Sequence, residues 1–217
     1  MDLSYSPVTG KSRNYYLVVA ILVALTLVGL ISFAISYVRG HEVFGSNNAV
    51  PWGMPIVLAI YLIGLSAGSL ILSSLTYVFG REEYKPIARM AVFLAIVLIL
   101  GALISIAVDL GRPEKFWRLF MFFYLNNMKS MFAINGILYG GYFTISLIYL
   151  GSIFANQPRF TRILGTIAVG WAALVHMGTG AIFGFIAARE TWTSPIKPIE
   201  FLFAALASGL ALLIVVV

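Results

Sequence analysis

The sequence predicts an all-α, polytopic membrane protein: a transmembrane helix bundle that leaves no room for a soluble catalytic domain. Three observations carry this reading. Of the 217 residues, 61% are hydrophobic and only 10% charged, with a mean hydropathy of +0.98, whereas a soluble domain carries roughly 25% charged residues. A helix crossing a bilayer needs roughly 20 consecutive apolar residues. Five stretches supply them: Tyr15 to Val38, Met54 to Phe79, Ala88 to Val108, Ser130 to Phe154 and Ile163 to Ala188, with a sixth from near Ile199 to Val217. The connecting segments alternate. They are short at Gly80 to Ile87 and Ala155 to Arg162, and longer and more aromatic at Arg39 to Gly53, Asp109 to Lys129 and Arg189 to Pro198.

The first stretch follows Lys11 and Arg13 as a signal peptide would. A signal h-region spans only about 7–15 residues, and no convincing cleavage site follows, so this is read as a retained helix. The second opens at Pro51 and Pro55 and carries the small pair Gly64 and Gly68, then Ser69 and Ser73; the fourth carries Gly136, Gly140 and Gly141. Such residues let backbones approach where lipid removes the hydrophobic drive for helix association. After the third stretch, Pro113 suits a first helical position and Glu114 a first turn. Arg112, Lys115 and Arg118 recur every three residues, largely opposite Phe116, Leu119, Phe120 and Phe123. That pattern predicts a short amphipathic helix lying in the interface, foremost as a headgroup anchor. The sixth stretch stops at Val215-Val216-Val217 without the polar or aromatic flank that closes a span, so the natural chain is expected to continue.

The chain has no cysteine and two histidines, His41 in a loop and His176 inside the fifth stretch. Disulfides, covalently attached c-type haem and cysteine-ligated iron–sulfur clusters are excluded. A bis-histidine haem would need two intramembrane histidines. Any redox chemistry must therefore draw its electrons through partner subunits or an organic cofactor. The 14 lysines and arginines divide evenly between the two faces, so the positive-inside rule gives no orientation. Loops carry function more often than the elements they join, which makes the face opposite the N-terminus the expected working face.

Polar groups at membrane depth are costly and are functional candidates by default. His176 lies about midway along its helix, with Thr179 and Gly180 on nearly the same face. Asp109 closes the third helix with Ser105 a turn deeper, and Asn135 enters the fourth with Tyr139 a turn beyond. Tyr61 lies two turns into the second, and Glu200 opens the sixth. All except His176 fall in the half facing the longer loops, which points to a half-buried polar pocket able to exchange protons. Each also has a structural reading: Asn135 as a bond between helices, Tyr61 as a core or belt residue, Asp109 as partner to Arg112, and His176 as a buried structural histidine. The N-terminal half offers only Ser73, Ser74, Thr76, Ser146 and similar hydroxyls, weak material for a complete proton conduit.

Several segments together resemble the polysulfide-reductase membrane-subunit family, also called the NrfD family. They are Pro51-Trp52-Gly53, Gly64-Leu65-Ser66-Ala67-Gly68, Asp109-Leu110-Gly111-Arg112-Pro113 with Phe116-Trp117, Lys129-Ser130-Met131, His176, and Trp192 with Pro198. The Asp-Leu-Gly-Arg-Pro run is the most specific, and the resemblance extends from about Val50 to Leu213. It implies a quinone-interacting anchor of a multi-subunit respiratory oxidoreductase in the prokaryotic cytoplasmic membrane, with a cytoplasmic N-terminus. The implied cofactor is a quinone of menaquinone or ubiquinone type, with no metal in this chain. The implied partners are a docked ferredoxin-like iron–sulfur subunit and a catalytic subunit: a molybdopterin enzyme, a hydrogenase or a multihaem cytochrome. The lipid bilayer is the surroundings, and no nucleic-acid partner is expected.

The family fold has two four-helix bundles. Residues 1–53 would then form an N-terminal helix and loop, 54–189 the first bundle, and 190–217 the start of a second. By the same resemblance Trp52 and Asp109 would hold the quinone head, with Tyr61, Arg112 and Asn135 around it. Asp109 would handle the accompanying proton, Arg112 would orient it or the partner, and His176 would relay protons deeper. Met131 stands where the family commonly has proline. Two rival readings are a transporter or ion pathway built from the same groups, which the lack of internal proline in these helices disfavours, and a passive anchor whose polar groups only pack.

Overall fold

A computed structural model describes residues 12–47, 49–118, 121, 130–186 and 190–216. Lys11, Leu119, Phe120, Phe123, Lys129, Ala188, Arg189 and Val217, all used in the sequence reading, lie outside the described residues. Among the described residues there are six long helices: α1 (Arg13–Arg39), α2 (Met54–Tyr77), α3 (Lys85–Asp109), α4 (Met131–Phe154), α5 (Pro158–Gly184) and α6 (Lys197–Val216). Each is long and apolar enough to cross a membrane. The protein is thus a multi-pass, all-helical membrane protein, as its apolar runs predict.

The element ends differ from expectation where local chemistry sets them. α5 begins at Pro158 rather than Ile163, because proline is preorganised for the first helical turn and has no N–H to leave unpaired there. At its other end, the Gly184 carbonyl accepts from the Ser194 N–H at 3.1 Å, which folds the following loop back onto the helix. Serine caps start two others: Ser12 Oγ accepts from the Tyr15 N–H at 3.2 Å, and Ser130 Oγ from the Ala133 N–H at 3.3 Å, each satisfying one orphan donor. In the expected interfacial segment, Pro113 opens a 3₁₀ turn, Pro113–Lys115, and beyond it Trp117, Arg118 and Met121 are helical and exposed.

α2, α3, α4 and α5 pack in sequence around one core, and α6 lies against α2 and α5. More than half of the apolar window of α2 is buried, but none of that of α1, whose only buried side chain is Ser36. Glycines decide how closely the helices approach. A Cβ on Gly68 would collide with the Ala205 carbonyl oxygen, and one on Gly209 with the Gly68 Cα. The α2–α6 crossing therefore puts backbone against backbone. One turn apart on α5, Gly180 and Gly184 admit the Lys197–Pro198 and Ser194 backbone in the same way, seating the loop that leads into α6. Gly141 admits the Trp171 ring, whose Nε1–H donates to the Leu138 carbonyl at 2.8 Å. Interhelical hydrogen bonds in membranes average only about 0.6 kcal/mol, so this close contact is the larger part of what holds the bundle.

Candidate functional site

Two apolar crevices open in the half of the bundle that faces the longer loops, and they share Ile106, Phe132 and Tyr139 as walls. One, of about 140 Å³, lies between α3 and α4 and is also lined by Leu103, Ala107, Phe116 and Gly136. The other, of only about 30 Å³, is a cleft bounded by Trp52, Ile63, Thr179 and Phe183. An aromatic cluster closes that side. Phe183, in the last turn of α5, is ringed by Trp52 from the segment before α2 (centroids 5.8 Å apart), Trp192 from the loop after α5 (5.8 Å) and Phe201 of α6 (5.6 Å, stacked).

The polar group between the crevices is a hydroxyl pair, Tyr139 Oη and Thr179 Oγ1, 2.9 Å apart. Thr179 gives its single proton to the Val175 carbonyl at 2.7 Å. Tyr139 is therefore the donor in the pair, and its oxygen can still accept from a bound group. Rotation of the Tyr139 hydroxyl would turn this acceptor into a donor.

The structure separates the residues that the sequence singled out. Asp109 lies beside Gly53, the residue after Trp52, since a Cβ on Gly53 would be 3.7 Å from Asp109 Oδ1, but Asp109 lines neither crevice. Asn135 is buried and joins two helices, Nδ2 donating to the Met131 carbonyl at 2.8 Å and the Gly178 carbonyl at 2.9 Å; its Oδ1 has no partner among the described residues. Asn135 lines neither crevice. His176 is buried one turn deeper than Thr179, with no hydrogen-bond partner for Nε2 among the described residues. Arg112 is exposed and lines a different crevice with Arg39, Lys115 and Arg118. Tyr61 is 60% exposed on the outside of the bundle. Glu200 pairs with Lys197 at 2.6 Å.

A second feature runs the other way, toward the N-terminal face. Tyr142, Ser146, Tyr149 and Ser152 recur every three or four residues along α4 and are all buried. Ser66 Oγ lies 2.6 Å from the Ala95 carbonyl and 3.1 Å from Tyr142 Oη. Ser73 Oγ lies 2.8 Å from the Leu70 carbonyl and 3.4 Å from Tyr149 Oη. Each serine has one proton, so in each case the carbonyl takes it and the tyrosine donates to the serine. Ser146 Oγ, Tyr77 Oη and Thr76 Oγ1 are buried without a partner among the described residues. Thr76, Tyr77 and Thr161 then line a crevice of about 340 Å³ at the N-terminal face, together with Glu82, Lys85, Arg89 and Arg162. The buried hydroxyls therefore extend beyond the serines and threonines expected there, through tyrosines whose three- and four-residue spacing on α4 was the available signal. No such signal marked Phe183 or Phe201.

The model of the polysulphide reductase NrfD family matches residues 42–217. The chain belongs to the NrfD family. Among its NrfD-type relatives, the Hdr-like menaquinol oxidoreductase integral membrane subunit of Archaeoglobus fulgidus is 39% identical over 99% of this chain and 53% of its own length. The C subunit of the selenate reductase of Mesobacillus selenatarsenatis is 32% identical over 89% of this chain and 54% of its own. The NrfD protein of Escherichia coli is 29% identical over 77% and 60%. The chain spans about half the length of the curated relatives it matches. No solved structure matches it.

Proposed function

We propose that this chain is the quinone-interacting membrane subunit of a multi-subunit respiratory oxidoreductase, exchanging electrons between the membrane quinone pool and a docked iron–sulfur subunit. The observation that carries this reading is the pair of apolar crevices that meet at the Tyr139–Thr179 hydroxyls, beside the Trp52–Phe183–Phe201 aromatic cluster. Apolar walls with a few placed polar groups suit a flat ring bearing oxygens. Phe116 and Phe132 would flank such a ring in the wider crevice, with Trp52 and Phe183 on the narrow cleft beyond it; Tyr139 would hydrogen-bond one of its oxygens, and Asp109, outside both crevices, would hold the accompanying proton. When bound, a quinone supplies paired electron and proton transfer. The residues of this chain would exclude water and orient the ring.

The name of the A. fulgidus relative favours menaquinone as the quinone. A ferredoxin-like subunit on the face of Trp52 and Asp109 would carry electrons to or from a molybdopterin, hydrogenase or multihaem partner. The proposed location is the prokaryotic cytoplasmic membrane with the N-terminus in the cytoplasm, and 190–217 is proposed to begin a second bundle after the one formed by 54–189. The test is titration of the purified intact protein with a fluorescent quinol-site inhibitor, comparing wild type with Asp109→Asn. Saturable binding, weakened in the variant by about tenfold as for a lost charged hydrogen bond, is expected. Absence of saturable binding in folded protein would overturn the proposal.

A further inference from the structure

We infer that the basic crevice between the ends of α1 and α3 binds the phosphodiester headgroup of an anionic phospholipid. The crevice measures about 770 Å³ and gathers four cations: Arg39 from the last residue of α1, and Arg112, Lys115 and Arg118 from the segment after α3. No carboxylate lines it among the described residues, and none of the four forms an ion pair with a described residue. Two glycines with left-handed backbone, Gly40 (φ 76°) and Gly111 (φ 67°), turn the chain at its walls. The remaining lining is Tyr37, Val38, Leu110, Phe116 and Phe132, so the charges sit on an apolar floor.

Position selects a lipid rather than an acidic protein as the occupant. The cations follow directly on the ends of two apolar spans, where headgroups lie. Trp117, exposed and within 5.6 Å of the Arg118 guanidinium, has the character of an interfacial anchor. Below the crevice, α3 exposes Phe93, Val97, Leu100 and Ile104, a stripe at helical spacing that leads to Gly111. α1 beside it is exposed along its length. A concave basic site above an exposed apolar stripe offers one place for a phosphate and another for acyl chains, and basic pockets between helices recognise anionic headgroups in this way. The inference does not depend on the quinone reading, although the two crevices share Phe116 and Phe132 as walls: failure of that reading would appear in inhibitor titration, while loss of the basic residues, none of which lines the quinone crevices, would appear in lipid affinity.

The test titrates delipidated intact protein with fluorescent phosphatidylglycerol and with phosphatidylcholine. It compares wild type with Arg39→Gln/Lys115→Gln/Arg118→Gln and with a control of equal charge loss on the opposite face, Arg89→Gln/Arg159→Gln/Arg162→Gln. Phosphatidylglycerol affinity should fall at least about tenfold in the crevice variant and stay within about twofold in the control, since each basic residue near an anionic headgroup matters locally. Arg39→Lys/Arg118→Lys should retain binding. If the triple variant does not fold, single Lys115→Gln and Arg118→Gln variants should show the same loss in smaller measure. Equal loss in the control, no preference over phosphatidylcholine, or displacement by equimolar inorganic phosphate would overturn the inference. So would unchanged lipid affinity alongside lost binding of an acidic partner subunit.

Discussion

Thr179 has one hydroxyl proton and gives it to the Val175 carbonyl, leaving Tyr139 as the donor in their contact and its oxygen able to accept. Tyr139→Phe removes that acceptor and should weaken quinol-site inhibitor binding by roughly fivefold, the effect of one hydrogen bond of about 1 kcal/mol; unchanged affinity would remove Tyr139 from the site. Asn135 is the contrasting case. Its amide bridges α4 to α5 while its Oδ1 is buried unpartnered among the described residues. Deleting the side chain loses an interhelical bond of about 0.6 kcal/mol and also relieves an unsatisfied oxygen. Asn135→Ala should therefore shift the melting temperature little and leave inhibitor affinity intact. A selective loss of affinity would instead make Asn135 a ligand contact. At this scale the sequence singled out Asp109, His176 and Asn135, because polar residues stand out in apolar runs, but none of the three lines either crevice. Phe183 and Phe201 stayed hidden, because an aromatic in an apolar helix does not mark itself as part of a site.

The helices owe their arrangement to small residues more than to apolar pattern. Gly68 and Gly209 let α2 and α6 touch backbone to backbone, whereas a Cβ on Gly64 would meet only Ser208 Oγ at an ordinary 3.6 Å. Gly68→Leu should abolish a cooperative thermal transition or lower it sharply, since overpacking commonly costs about 1–3 kcal/mol and backbone here cannot yield. Gly64→Ala should melt near wild type, and the two melting curves together check the crossing. The Gly64–Gly68 pair was legible as a packing motif, but which glycine meets a partner was not. The polar stripe of α4 belongs to the same scale. Tyr149→Phe cuts its pairing with Ser73, so if protons travel this way, proton uptake by proteoliposomes during quinol turnover should fall while inhibitor binding stays unchanged.

For the whole molecule, the even charge split leaves orientation to be measured, and the absence of native cysteine makes that direct. Ser46→Cys, before α2, should react with a membrane-impermeant maleimide from outside the cell, and Gln157→Cys, between α4 and α5, only after the membrane is opened. The reverse pattern would invert the proposed orientation. The sequence by itself determined the class and the six spans, because a long apolar run in lipid must satisfy its own backbone hydrogen bonds, and the helix does so locally. It also determined the family, through short runs such as Asp109 to Pro113. Only the tertiary structure decided which faces turn inward. A helix apolar all round leaves no stripe to tell core from lipid, so Tyr61, 60% exposed, and Tyr142, 1% exposed, look alike in sequence. What separates them is the neighbour across the interface: Ser66 for Tyr142, and nothing comparable for Tyr61 among the described residues. Such contacts join positions far apart in the chain, which no local pattern encodes.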